Sequence, residues 1–573
     1  MSLDPLQRLP LELSLHLCSY LPLSTLSSLH LTSSSWHAFL DAHAEILYRF
    51  CAYELLAPAR QARWTTGNGK GKAPLRGDES LETLLGAKQN VRPEYWNVEG
   101  WREFCKRSVQ LSQQWASPTP IISSKHLPLS HLIWRFRIDF SARLLISTAH
   151  QGGLFVHDLD DATLLWSLPK DQVDGHAHLE YDDGTLVYDT GERSLRAWRR
   201  ADLMGVKDAK RGHFIQLDKD LTHPVRTRGF QLRYPTLCVV SDMGQAFIWD
   251  LSLSTPKLLR TLDIIPGAVG HLEQNDTHVL FSLGLHGYHF YAEDSDADDG
   301  RMLNPADLEL NGANIFHVEH QRVDTPAAPI IPDRERSGSS GGSDGNASTL
   351  SRADHVVLRV RPGPYPEAKQ GGERRMHLED DEWGAGMIRG AVFVGVSKGG
   401  RVLVCTDWPG YLDGSAQADT CVSIVECLEP TDGLQDLGGW LTMGAGRAAF
   451  EVHDRVYILQ LPTHGLLDAS DRQPVLHALQ SNAHPKVPLP ISFMQLTEDS
   501  LLTTYAWIQV VRAPHIHIEV QKSVRIASWA YLEGQQAGWT TTGNEKEGEE
   551  EEKVAKAALW LEVGEEESEA EDE

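Results

Sequence analysis

The chain has 573 residues, 79 acidic against 53 basic side chains, a formal net charge of −26 at pH 7 and 41% hydrophobic residues. That length predicts more than one domain, or one large all-β unit carrying most of the chain. The acid excess argues against a nucleic-acid binder, which needs clustered Lys and Arg for the phosphate backbone.

The first element is leucine-rich: twelve leucines fall between Leu3 and Leu31. In LPLELSLHLCSYL, Leu9, Leu13 and Leu17 recur at i, i+4 and i+8 and form one helical stripe. Leu11 and Leu15 recur at the same interval on nearly the opposite side. A helix apolar on two sides must be sandwiched. The polar stretch TTGNGKGKAPLRGDES closes the region before a large core can form. So small a module is marginal alone, and its second face is expected to belong to another protein. Glu12 and His16 interrupt the run and no A-x-A-like site follows, so no secretory signal is expected. No stretch approaches ~18 consecutive apolar residues, so no membrane span is expected.

The segment RLPLELSLHLCSYLPLSTLSSLHLTSSSWHAFLDAHAEILYR resembles an F-box over residues 5–50. Leu9, Pro10 and Glu12 match the family's Leu-Pro-x-Glu opening, and Tyr20, Leu21 and Pro22 match the end of its first helix. Leu26, Leu29 and Leu31 fall in the second helix, and Trp36 and Leu40 in the third. The chain departs at Leu47-Tyr48, where the family has Leu-Trp, and at Ser34 and Ser35, where it has a basic pair. The resemblance implies a three-helix module that docks on the Skp adaptor, and through it on a cullin. It carries that role over to Leu9, Pro10, Leu13, Leu17, Leu21, Pro22, Leu26 and Trp36, as core or contact positions. An unrelated three-helix hairpin is the alternative.

Residues 51–120 read as a helical linker with a flexible loop near 64–92. In EYWNVEGWREFCKRSVQLSQQW, Trp101, Phe104, Cys105, Val109 and Leu111 keep helical spacing. This resembles the spacer helix that F-box proteins of the WD-repeat type place before their substrate domain.

After Pro120 the period changes from 3.6 to 2. Seven segments carry short apolar runs with turn residues between them: ARLLISTAHQGGLFVHDLDDATLLWSLP, HLEYDDGTLVYDTGERSLRAWRR, FQLRYPTLCVVSDMGQAFIWDLSLSTPKLLRTL, HVLFSLGLHGYHFYAED, AVFVGVSKGGRVLVCTDW, RAAFEVHDRVYILQLP and SLLTTYAWIQVVRAP. The third is the clearest, with TLCVVSD and QAFIWDL flanking a Met-Gly turn and ending in Trp249-Asp250. Such repeats predict an all-β array whose sheets stack radially. The expected class is therefore multidomain, α plus all-β: the three-helix module and linker helices, then a WD-like β-propeller of about seven blades over residues 121–533. An eight-blade ring or a two-sheet sandwich remains open. Ser/Gly-rich and Pro-rich stretches predict disordered insertions near 324–352 and 361–385. Residues 545–573 hold fourteen acidic residues against three Lys, so 540–573 is expected to be a disordered acidic tail. The propeller is expected to fold by itself from about Ser117.

Chemistry is scarce. The seven cysteines, Cys18, Cys51, Cys105, Cys238, Cys405, Cys421 and Cys427, are odd in number and contain no Cys-x-x-Cys pair. They read as reduced thiols of a cytoplasmic or nuclear protein. The loop Gly67–Ala73 lacks phosphate-loop spacing. Asp294–Gly300 fails as a calcium loop, since Pro305 stands where the bidentate Glu belongs. His515, His517 and Glu519 share one strand face and offer a metal set, but the same alternation marks any half-buried strand. No cofactor, metal or catalysis is expected. Arg196, Arg199 and Arg200, and then Arg226, Arg228 and Arg233, cluster near loops that lead into inner strands. The latter three are the candidate substrate-binding residues for an acidic or phosphorylated peptide. Pairing with Asp182, Asp183, Asp189, Glu192 and Asp202 is the competing reading. The functional expectation is a substrate receptor of an SCF-type cullin–RING ubiquitin ligase that captures a protein of unknown identity. The alternative is a non-ligase scaffold that binds the Skp adaptor through the same module.

Overall fold

The computed structural model describes residues 9–52, 80–86, 90–127, 129–264, 269–292, 301–310, 312–319, 347–349, 355–364, 381–427, 438–452, 455–461, 475–482, 491–511 and 517–530. The acidic tail, the Gly67–Ala73 loop, Asp294–Gly300 and His515 lie outside the described residues.

Three short helices open the chain: α1 (Leu11–Ser19), α2 (Leu23–His30) and α3 (Ser34–Ala42). Pro10 and Pro22 sit at the N-caps of α1 and α2 in extended conformation. Proline there disfavours a helical residue before it, so Leu21-Pro22 separates the two helices. Ser33 caps α3, its hydroxyl accepting from the Trp36 backbone N–H at 3.2 Å. A fourth helix, α4, covers residues 44–52, with Leu47 and Tyr48 buried. Next come α5 (Leu81–Gly86), within the segment expected as a loop, and α6 (Pro93–Trp96). The longest helix, α7 (Trp101–Ala116), buries Trp101, Phe104, Cys105, Leu111 and Trp115.

The remainder is mostly β and propeller-like. Seven antiparallel units follow one another, each four-stranded except the second, where Phe214–Gln216 and Leu221–Thr222 both pair with Ser194–Arg200, and each of the seven segments read from the sequence contributes to a different unit. Blade 1 runs from Ile133–Asp139 to Leu164–Leu168. Blade 2 starts at Leu179–Asp182, blade 3 at Thr227–Arg233 and blade 4 at His271–Gln274. Blade 5 starts at Trp383–Arg389, blade 6 at Gly438–Gly444 and blade 7 at Met494–Leu496. These first strands lie against one another in order from blade 1 to blade 7. In blade 3 the Met243-Gly244 turn needs a positive φ, which Gly244 supplies at 76°.

The ring closes through distant parts of the chain. Ser123–Leu127 is the outer strand of blade 7, antiparallel to His517–Ser528 with Ser123 opposite Ser528 and Leu127 opposite Val524. Phe136 of blade 1 meets Phe493 of blade 7 edge to face at 5.0 Å, within an apolar cluster that also holds Leu127, Val524 and Ile526.

Two departures from the sequence reading stand out. Asn314–Glu319 pairs parallel with blade 5's last strand, Val422–Glu426, and antiparallel with His355–Pro362. His355–Pro362 in turn pairs with blade 6's last strand, Val475–Gln480. Blades 5 and 6 thereby form one ten-stranded sheet. The insertions expected at 324–352 and 361–385 are also trimmed. Ala347–Thr349 adds to the outer edge of Ser123–Leu127, while Arg361, Pro362 and Trp383 to Ala385 belong to strands.

The helices and the propeller share one core. A continuous apolar cluster links Cys18, Leu26 and Leu40 through Trp96, Phe104 and Trp115 to Ile458 and Leu479 of blade 6 and Met494, Leu501 and Trp529 beside blade 7. All seven cysteines are buried, and none forms a disulfide. Among the described residues no helix is long and apolar enough to cross a membrane.

Candidate functional site

The first candidate face lies on α1. Its inward side is Ser14 and Cys18, both buried, with Leu15 packed on the core. The Leu9, Leu13 and Leu17 stripe therefore points outward, with Leu13 50% and Leu17 55% exposed. Leu11 and Tyr20 beside it are exposed too, as is Leu31 beyond α2, at 85%. Single exposed leucines are ordinary, but several in register on one short helix are not. Pro10 and Pro22 are exposed, and Leu21 and Trp36 are half-buried against the core. Leu26 is wholly enclosed, so among the eight residues it serves the core and not a contact.

This face is fixed relative to the propeller by α7 and the irregular segment before α6. The Trp115 indole stacks on Trp529 with centroids 3.8 Å apart, donates through Nε1 to the Glu498 carbonyl at 3.1 Å, and carries the Arg447 guanidinium 4.2 Å from its ring centroid. Burial lowers the Arg447 pKa to about 9. The buried Asp499 carboxylate accepts from the Val91 N–H at 3.1 Å, the Arg92 N–H at 3.0 Å and the Thr497 hydroxyl at 2.9 Å. Burial raises its pKa above the usual value despite these donors. A chain cut at Ser117 would lose Trp115 and two of these donors, which argues against independent folding from that point. At the other end of α7, the Cys105 thiol donates to the Tyr48 carbonyl at 3.2 Å.

The three candidate substrate arginines do not converge. Arg226 is exposed, with Glu192 at 3.9 Å. Arg228 donates from Nε to the Val269 carbonyl at 3.4 Å, and Arg233 pairs with Asp276 at 2.6 Å. Arg196 grips Asp220 with two bonds of 2.9 Å, and Arg200 binds Asp202 and Asp139. The geometry thus favours pairing, although with Asp139, Asp220 and Asp276 in place of most carboxylates named from the sequence.

A denser polar cluster sits where the first strands meet, and sequence reasoning missed it. Arg137 of blade 1 binds Glu180 of blade 2 and lies 4.0 Å from the Phe493 ring centroid of blade 7. Arg135 reaches across to Trp440 of blade 6, 4.9 Å from its ring centroid. Glu273 of blade 4 accepts from Gln231 of blade 3 at 2.6 Å and from Arg389 of blade 5 at 2.8 Å. These residues come from all seven blades, where the first strands meet. Burial works to raise the Glu180 pKa, but Arg137 and His178 outweigh it and hold the carboxyl below its ordinary value. Burial, aided by Arg135, lowers His178 to about 4, so its imidazole is neutral at pH 7. Its Nε2 lies 3.2 Å from both Arg135 Nη1 and Glu180 Oε1. A neutral ring nitrogen either donates or accepts, so one of these contacts is unmet. Arg135 Nε is also buried without a hydrogen-bond partner. The cluster has a spare cationic donor. The signal for it was the polar residue at alternate positions of each first strand, as in FRID, HLEYD and HLEQ.

The side chains of His517 and Glu519, the remaining members of the candidate metal set, lie outside the described residues. No known family matches the chain, and no curated protein does. Among solved structures it is similar to U3-55K, at 12% identity over 71% of this chain and 98% of that one, with a TM-score of 0.39. It is likewise similar to the WD40 repeats of RRP9, at 12% identity over 71% and 97%, with a TM-score of 0.38. A third is the β-propeller domain of Cps50 (Swd1) from Myceliophteria thermophila, at 9% identity over 70% and 97%, with a TM-score of 0.35. The architecture itself rests on the strand pairings and the ring closure described above.

Proposed function

We propose that the chain is a protein-interaction scaffold of the substrate-receptor type: its helical module docks on the Skp adaptor of an SCF-type cullin–RING ligase, and its propeller holds the target. The observation that carries this is the outward leucine row of α1 on a module sharing one core with the propeller. A partner that covers Leu9, Leu13 and Leu17 is then held at a fixed distance and angle from the propeller. The chain makes and breaks no bond in this reading. It supplies proximity, raising the effective concentration of a target lysine beside the ubiquitin-charged enzyme. Target capture falls to the propeller, and not to Arg228 and Arg233, whose guanidinium groups are already engaged with the Val269 carbonyl and Asp276. The test is Skp binding by a Leu9→Ala, Pro10→Ala double variant. Affinity should fall at least about tenfold, because one lost leucine contact is worth ~1.5–3 kcal/mol. Undiminished binding rejects the docking.

A further inference from the structure

Three side chains converge where α2 meets α3. His30 is the last residue of α2, and His37 and Asp41 stand one turn apart on α3. His30 Nε2 lies 2.9 Å from Asp41 Oδ1, and His37 Nδ1 lies 3.2 Å from Asp41 Oδ2. One ligand atom from each falls within 4.8 Å of the other two, and the imidazole centroids are 4.0 Å apart. The short turn capped by Ser33 folds α3 back over the end of α2 and brings His37 beside His30. From α7, Arg102 reaches in, with Nη1 2.7 Å from Asp41 Oδ1 and Nη2 3.3 Å from His30 Nε2.

The contacts around His30 Nε2 conflict. Guanidinium only donates, so Nε2 must be unprotonated to accept from Arg102. Its lone pair then faces a carboxylate oxygen at 2.9 Å. A cation seated between nitrogen and oxygen resolves that clash.

We propose that His30, His37 and Asp41 form a binding site for a divalent transition-metal ion of the zinc class, and that Arg102 is the resident cation the metal displaces. Two imidazole nitrogens and one carboxylate suit Zn²⁺, Ni²⁺ or Cu²⁺, whereas Ca²⁺ and Mg²⁺ take oxygen ligands. Zinc bonds of ~2.0–2.2 Å set tetrahedral ligand atoms about 3.4 Å apart, near the two separations found here. Three protein ligands leave the fourth position to water. Arg102 is 49% exposed, so it can swing into solvent. Ligation would tie the end of α2 to α3 beside Leu31. This inference stands apart from the Skp-docking reading and survives its failure.

The experiment is calorimetric titration of ZnCl₂ into the full-length chain after EDTA treatment and dialysis, with MgCl₂ as the control. The wild type should bind one equivalent of Zn²⁺ at this site and no Mg²⁺ there. His37→Ala and His30→Ala should each weaken binding about tenfold or more, since even groups behind the ligands are worth that much. Arg102→Ala should tighten it several-fold by removing the competitor. No zinc uptake by the wild type overturns the proposal. So does zinc affinity unchanged in both His37→Ala and Arg102→Ala. Both of those side chains are about half exposed, so these variants decide the matter even if His30→Ala misfolds.

Discussion

Replacing Trp115 by Ala tests how firmly the helices are joined to the propeller. The substitution removes the stacked contact with Trp529, the bond to the Glu498 carbonyl and the ring under Arg447. Truncating a buried Trp costs about 3–5 kcal/mol. The upper half of that range applies, because Arg447 is buried and loses the aromatic face beside its guanidinium. With a urea m-value of ~3 kcal/mol/M, the midpoint should fall by about 1 M or more. Trp115→Phe keeps a ring on Trp529 but loses the N–H, and should cost roughly 1 kcal/mol for that bond. The assay is urea unfolding of the full-length chain followed by tryptophan fluorescence and by circular dichroism. A companion measurement compares chains beginning at Asn90 and at Ser117: the first should be soluble and cooperative, the second not. A Trp115→Ala midpoint equal to wild type, or a cooperative melt of the Ser117 fragment, would refute the shared core.

Stability should peak near pH 6.5 and fall on both sides. Burial raises Glu451 from 4.5 to about 8 against the Ile491 N–H and Lys522, so its contribution is fully present below pH 4.5 and is lost as pH rises to about 8. Glu451→Gln should flatten the urea midpoint between pH 6.5 and 8. Burial lowers His126, His131, His150, His178 and His477 from 6.5 to about 4 and His355 to about 3. Their contribution is complete above pH 6.5 and lost as pH falls towards 4, which outweighs the single gain from Glu451. Arg137→Met leaves Glu180 buried without its main partner and should cost about 3–5 kcal/mol. Arg226→Ala, at an exposed pair, should shift stability by no more than ~0.5 kcal/mol. A target that binds through an acidic group should be kept with Arg226→Glu and Arg228→Glu, as read in a pull-down at low and high salt.

The blades were legible because each pairs residues close in sequence. Thr236–Ser241 and Gln245–Asp250 are joined by a Met-Gly turn and read as two short apolar runs. The closing strand was not legible. SSKHL at 123–127 is polar, lacks alternation and gains its structure from residues far along the chain, some 400 positions away in His517–Ser528 and over 200 away in Ala347–Thr349. The bridge between blades 5 and 6 was hidden for the same reason, its two strands being separated by low-complexity sequence. Trp115 escaped notice because it pairs with Trp529 across most of the chain. The leucine row of α1 was readable as a helix with a surplus apolar side. Which side turned outward was decided by packing, where the small Ser14 and Cys18 let α1 approach the core closely. The arginine candidates were chosen by density along the chain. Density says nothing about the carboxylates that blades 1, 2 and 4 bring to Arg200, Arg196 and Arg233.

The central claim, a helical module that docks outward while rigidly carrying a propeller, is met most directly by co-purification. The full-length chain is expressed with the Skp adaptor and a cullin, as wild type and as Leu13→Asp, Leu17→Asp. Each leucine is about half exposed, so covering both contributes roughly 2–3 kcal/mol, and a buried carboxylate adds to the loss. The wild type should retain adaptor and cullin, and the variant should lose both, at least about thirtyfold in adaptor affinity, while its urea midpoint stays unchanged. A variant that folds and still holds the adaptor as tightly as wild type would contradict the account.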